Sequence, residues 1–117
     1  MPALTPQEKQ DVENRVIDAI DQEAGRNQAP EGNRQRLRAH DKTLVLEADL
    51  NIGLTRRKAL SADYTAISQS YPDGLMVGPI DSGNAVTVDK AVKLVQLRAS
   101  GNAPPPKGPT FNAPKNG

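Results

Sequence analysis

Apolar residues recur at helical spacing near both ends of this chain and alternate with polar ones in its middle. Val12, Val16, Ile17 and Ile20, with Ala19 and Ala24 alongside, fall on one stripe of a helix. Thr5 can cap that helix, Pro6 suits its first position, and Glu8 completes a T-x-x-E capping box. Leu4, just before the cap, can fold back as a hydrophobic staple, and Gly25 is a natural stop. The stripe is narrow, so the helix needs something to lie against.

The middle, Lys42 to Leu60, is harder to read. Leu44, Leu46, Ala48, Leu50, Ile52 and Leu54 alternate with mostly polar residues, which is the period of a half-buried strand. The same residues lack the β-branched and aromatic enrichment of strands and include good helix formers. Gly53 is placed for a left-handed helix end, with Leu54 as its hydrophobic contact and Thr55 able to cap the next helix. The favoured reading is a helical hairpin over 31–70. A second helix would run from Glu31 through Leu37 and Leu44 to Ile52, with Val45 and Ala48 on the same apolar side. A third would run from Arg56 to about Ser70, burying Ala59, Leu60, Tyr64 and Ile67. The alternative is an α+β arrangement with short strands near 43–52 and 75–80.

Tyr71-Pro72-Asp73-Gly74 is a strong turn, Leu75 to Ile80 an extended apolar piece, and Asp81-Ser82-Gly83-Asn84 a second turn. Thr87 can cap a last helix carrying Val88, Ala91, Val92, Val95 and Ala99, widened by Leu94 and Leu97. Ala103 to Gly117 holds five prolines, two glycines and one aromatic, Phe111. Such a stretch favours polyproline-type backbone, excludes a helix, and by composition orders only on a partner. The expected architecture is therefore a mainly α fold: a small helical domain over 1–102 and an extended Pro-rich arm over 103–117.

Composition narrows the function. Apolar residues make up 36% of the chain and aromatics number three, so the core must be aliphatic and thin. There is no cysteine, hence no disulfide, thiolate nucleophile or cysteine-based zinc site. The first residues lack a signal-peptide pattern and no apolar run reaches spanning length, so a soluble chain with no membrane partner is expected. His40 is the single histidine and stands among charged residues, where a solvated position is the simplest reading. No nucleophile elbow, calcium loop or glycine-rich phosphate loop is present, and the carboxylate pairs Asp18 with Asp21 and Glu47 with Asp49 read as solvent-facing, so neither catalysis nor a cofactor is expected.

Charge runs in blocks: net −4 over 1–25, +4 over 26–60, −3 over 61–86 and +4 over 87–117, giving +1 for the chain. Alternation of this kind suits docking of acidic onto basic faces between neighbours. Arg56, Arg57 and Lys58 would stand in the first turn of a helix, where cations oppose the dipole, so an external anion is a natural partner. Arg34, Arg36 and Arg38 could extend that patch, and Phe111 could anchor the arm. These features favour a non-enzymatic structural or adaptor protein acting in multiple copies. Its partners would be other protein subunits, copies of itself included. A bacteriophage virion component (head–tail connector, capsid cement or tail-associated protein) has this architecture, which would place the chain in the virion, and otherwise in the cytoplasm. The alternatives are a small DNA- or RNA-binding accessory protein using the basic patch, or a secretion-system subunit or chaperone. Nucleic acid ranks second because net charge is low and stacking aromatics are scarce.

Overall fold

The computed structural model describes residues 3–102, and the described chain is mainly helical. Helix α1 spans Pro6–Arg26. Its capping box is complete: Glu8 N–H donates to Thr5 Oγ1 at 3.1 Å, and Thr5 N–H to Glu8 Oε1 at 2.9 Å. Val12, Val16, Ile17, Ile20 and Ala24 form its buried face, and Leu4 packs on the core just before it. Gly25 is not the stop. The helix continues to Arg26, and the chain turns at Gln28, whose φ is 58°.

Four short helices come next: α2 (Glu31–Arg38), α3 (Leu46–Leu50), α4 (Leu54–Ala59) and α5 (Ser61–Gln69). The long second helix expected to reach Ile52 is broken after Arg38. His40 takes a left-handed φ of 66°, and Asp41 Oδ1 accepts from both the Thr43 N–H and hydroxyl. That local side-chain turn competes with helical hydrogen bonding. Leu44 is buried in extended backbone while Val45 and Ala48 are exposed, so the expected apolar side does not form there.

The alternation over 44–52 has a helical origin. Leu46 and Leu50, four apart, share the inner face of α3. Asn51 then takes the left-handed position, with φ 58°, and turns Ile52 inward, its N–H donating to Leu46 O at 2.8 Å. Gly53 is extended (φ −75°, ψ −177°) and precedes α4, so neither it nor Thr55 holds the place the pattern suggested. Leu60, Tyr64 and Ile67 are buried as expected, but Ala59 is exposed.

No strand forms among the described residues. One antiparallel bridge, Val45 with Thr87, pins the 42–46 loop to the start of the last helix. Leu75 to Gly78 is extended but has no strand beside it. The hydroxyls of α5 stand in for one: Val77 N–H donates to Thr65 Oγ1 at 2.9 Å, Thr65 Oγ1 donates to Val77 O at 3.1 Å, and Ser68 Oγ to Leu75 O at 2.7 Å. Gly74 permits the approach, since a Cβ there would lie 1.8 Å from Ser68 O.

Helix α6 (Pro79–Asn84) occupies what the sequence presented as a second turn. Helix α7 (Val88–Ala99) is capped by Thr87 and buries Val88, Ala91, Val92, Val95 and Ala99. α1 lies on α2, α5 and α7, α5 on α7, and α4 on α6. The core between them is aliphatic apart from Tyr64, its largest fully buried side chain.

Candidate interaction surface

The six cations read as one basic patch separate into three settings. Arg57 is buried. Its Nε donates to Gly83 O at 3.0 Å, and Nη1 to Ile52 O and to Glu47 Oε1, each at 3.1 Å. Gly83 O lies in the last turn of α6 and Ile52 O just beyond α3, so a guanidinium here meets the carbonyl-rich ends of two helices. In return the Ser82 hydroxyl donates to Arg57 O. Gly83 lets α4 come close, because a Cβ there would meet Leu54 Cδ1 at 3.1 Å and Lys58 Cγ at 3.2 Å. Arg57 is an internal clamp between α4 and α6, not an outward contact.

The arginines of α2 are also engaged. Arg34 Nε lies 2.9 Å from Asp21 Oδ1, and Arg38 reaches the same carboxylate at 3.2 Å and Glu31 at 2.5 Å. Arg36 pairs with Asp41 at 2.7 Å. Burial pushes the Asp21 carboxyl up, but the hydrogen bonds and charges of Arg34 and Arg38 outweigh it and hold it below its ordinary value. The Asp41 carboxyl is likewise held low by Thr43 and Arg36. These charges therefore largely neutralise one another within the fold.

Arg56 and Lys58 remain outward. The Arg56 side chain is 60% exposed, with a long 3.8 Å approach to Glu23. Lys58 is exposed and has no ion-pair partner among the described residues. Phe111 lies outside the described residues.

His40 is not simply solvated. Its Nδ1 lies 2.7 Å from Glu13 Oε2, and Lys42 Nζ 3.1 Å from Glu13 Oε1, tying the 39–45 loop to α1. Burial raises the Glu13 carboxyl, but His40 and Lys42 together bring it below its ordinary value. No side-chain hydroxyl hydrogen-bonds His40 among the described residues. Nor do the described residues hold a group of three or more His, Cys, Asp or Glu able to bind a metal, or a helix long and apolar enough to cross a membrane.

The surface that the sequence did not single out surrounds Pro79. Met76 is 63% exposed and Ile80 73%, on either side of the Gly78-Pro79 start of α6. Together with Asp81 and Arg98 they line an open groove. Leu54, 49% exposed, overlies Gly83, one helical turn on from Ile80. Arg98 Nη2 pairs with Asp81 Oδ2 at 2.5 Å within that lining. The available signal was Gly-Pro with an early acid, a helix start, which would have set Ile80 in a first turn facing outward.

Comparison with protein-family models, with curated proteins and with solved structures finds no match to this chain.

Proposed function

We propose that this chain is a non-enzymatic structural adaptor that acts in multiple copies within a larger protein assembly. One observation carries the reading. A chain with few large apolar side chains leaves Met76 and Ile80 mostly in water around one groove, while its remaining aliphatic core is buried. Exposed apolar side chains clustered at a polar-rimmed groove are characteristic of contact surfaces. Charge adds little to this surface, since the acidic and basic blocks pair largely with each other inside the fold. The particular form we propose is a bacteriophage virion component, in which small helical domains with extended arms join neighbouring subunits. This step is by architectural analogy.

Nucleic-acid binding is the weaker reading. Arg34, Arg36, Arg38 and Arg57 face carboxylates or carbonyls of the fold itself, leaving Arg56 and Lys58 as the outward members of the patch.

Light scattering and sedimentation on the full chain over a range of concentrations test the proposal. Self-association should be seen, and Ile80→Asp should abolish it without loss of helical circular dichroism. A chain that stays monomeric at all concentrations, or that associates equally well with Ile80→Asp, overturns the role of this surface. A steeply salt-dependent gel shift on DNA or RNA would favour the second reading.

A further inference from the structure

We infer that the groove around Met76, Pro79 and Ile80 receives residues 103–117 of a second copy of this chain, with Phe111 as the anchor. The inference rests on the assembly reading above and names its partner. Three observations point to this occupant.

The first is where the described chain ends. Arg98 O accepts from both Leu75 N–H and Gly101 N–H, each at 3.0 Å. The departing C-terminal segment therefore starts beside the first residue of the groove-bearing stretch, and the Arg98 side chain forms the groove's wall. When two copies face each other through this side, each C-terminal segment begins next to the partner's groove, which is the reciprocal arrangement of an isologous pair. By sequence the segment opens Ala103-Pro104-Pro105-Pro106, which favours extended backbone and opposes an immediate reversal into its own groove. At about 3.1 Å per residue, the stretch from Asn102 to Phe111 spans up to about 28 Å, enough to cross to a neighbour.

The second is chemical fit. Phe111 is the only phenylalanine in the chain. Met76, Pro79 and Ile80 offer the soft, apolar contacts that an aromatic ring favours, sulfur–aromatic contact included. Asp81, the one acid of the groove lining, is already paired with Arg98, so the fit rests on apolar contact and not on charge.

The third is area. A stable pair covers about 800 Å² on each partner, more than a few exposed side chains can supply. A fifteen-residue segment laid across the partner adds the missing surface.

The chain contains no cysteine, so single thiols can report the contact directly. Leu75→Cys and Asn112→Cys chains, which keep Phe111 and Met76, would be differently tagged, mixed at full length and oxidised. Disulfide formation requires Cα atoms within about 7 Å. The expected result is a cross-linked heterodimer well above the yield from Asn112→Cys mixed with Asn14→Cys on the outer face of α1. An excess of a synthetic 103–117 peptide should suppress it. Yield no greater than the Asn14 control overturns the inference. So does a purely intramolecular link in the Leu75→Cys/Asn112→Cys double variant, which would mean the segment covers its own groove. If Ile80→Asp still dissociates the assembly while no 75–112 link forms, the assembly reading stands and this occupant falls.

Discussion

Arg57 and Ser82 hold each other from opposite ends: the Ser82 hydroxyl donates to the Arg57 carbonyl, and the Arg57 guanidinium reaches the carbonyl of Gly83, next to Ser82. Truncating Arg57 to Ala leaves the Gly83 and Ile52 carbonyls without this donor in a buried site. Unsatisfied buried groups of this kind cost about 1–3 kcal/mol each, so Arg57→Ala should destabilise by about 2–4 kcal/mol. Arg57→Lys keeps the charge but not the fork and should recover part of that loss. Urea unfolding at unchanged m-value is the measurement, and a loss under about 0.5 kcal/mol would remove Arg57 from the role of clamp.

Tyr64 is fully buried, and its hydroxyl has no hydrogen-bond partner among the described residues. Tyr64→Phe should therefore be neutral or stabilising by about 1 kcal/mol, whereas Tyr64→Ala should cost about 3–5 kcal/mol through the cavity it leaves. Paired thermal and urea unfolding of the two variants would show the contrast. A marked loss for Tyr64→Phe would mean the hydroxyl has a partner.

The two tyrosines should also titrate apart. Burial, with a hydrogen bond to Asp11 at 2.5 Å, pushes the Tyr71 phenol up to about 12, and burial drives Tyr64 higher still. A raised folded-state value stabilises the fold below the ordinary 10.0 of the free phenol, and that contribution is lost as pH rises from there through about 12. Near-ultraviolet absorbance should show Tyr71 ionising near that upper value and Tyr64 ionising only with unfolding. Tyr71→Phe should leave just the second step.

At the acid end the sign reverses. Glu13 and Asp21 are held below their ordinary values of 4.5 and 3.8, so each stabilises the fold above those values. That stability is lost as pH falls through their lower folded-state values. Glu13→Gln and Asp21→Asn should each reduce stability near neutral pH and flatten the decline on acidification. Unfolding midpoints measured across that range decide it, and a variant with an unchanged acid limb would exclude its carboxylate.

Thr65 should be far less tolerant than a half-buried threonine usually is. Thr65→Val keeps the shape but removes both hydrogen bonds to Val77, costing about 1–3 kcal/mol, while Thr65→Ser should retain most of them. Equal behaviour of the two variants in urea would show that the extended stretch does not depend on that hydroxyl.

How far the sequence revealed the fold depends on where each element's determinants lie. Helices α1 and α7 carry theirs within themselves, in the caps Thr5 and Thr87 and in single apolar stripes, and both were legible. The middle depends on side chains reacting with nearby backbone. Asp41 bonding Thr43 ends the run after α2, and Asn51, not Gly53, supplies the left-handed turn. Spacing could not separate a strand's alternation from Leu46 and Leu50 on one helical face, because four is a multiple of two. The basic patch misled for another reason. Asp21, Glu31 and Asp41 neutralise α2, and no local pattern reveals that Asp21 of α1 would meet Arg34 and Arg38.

The carbonyl of Arg98, shared by Leu75 and Gly101, has a mechanical consequence. A pull on the C-terminal segment that displaces the Arg98 carbonyl must break the Leu75 bond as well as the Gly101 bond. Through Thr65 and Ser68 that stretch is fastened to α5, which rests on α1. The end of α7 is thereby linked to α5 and α1, so tension entering at Gly101 passes into them as well as into its own helix.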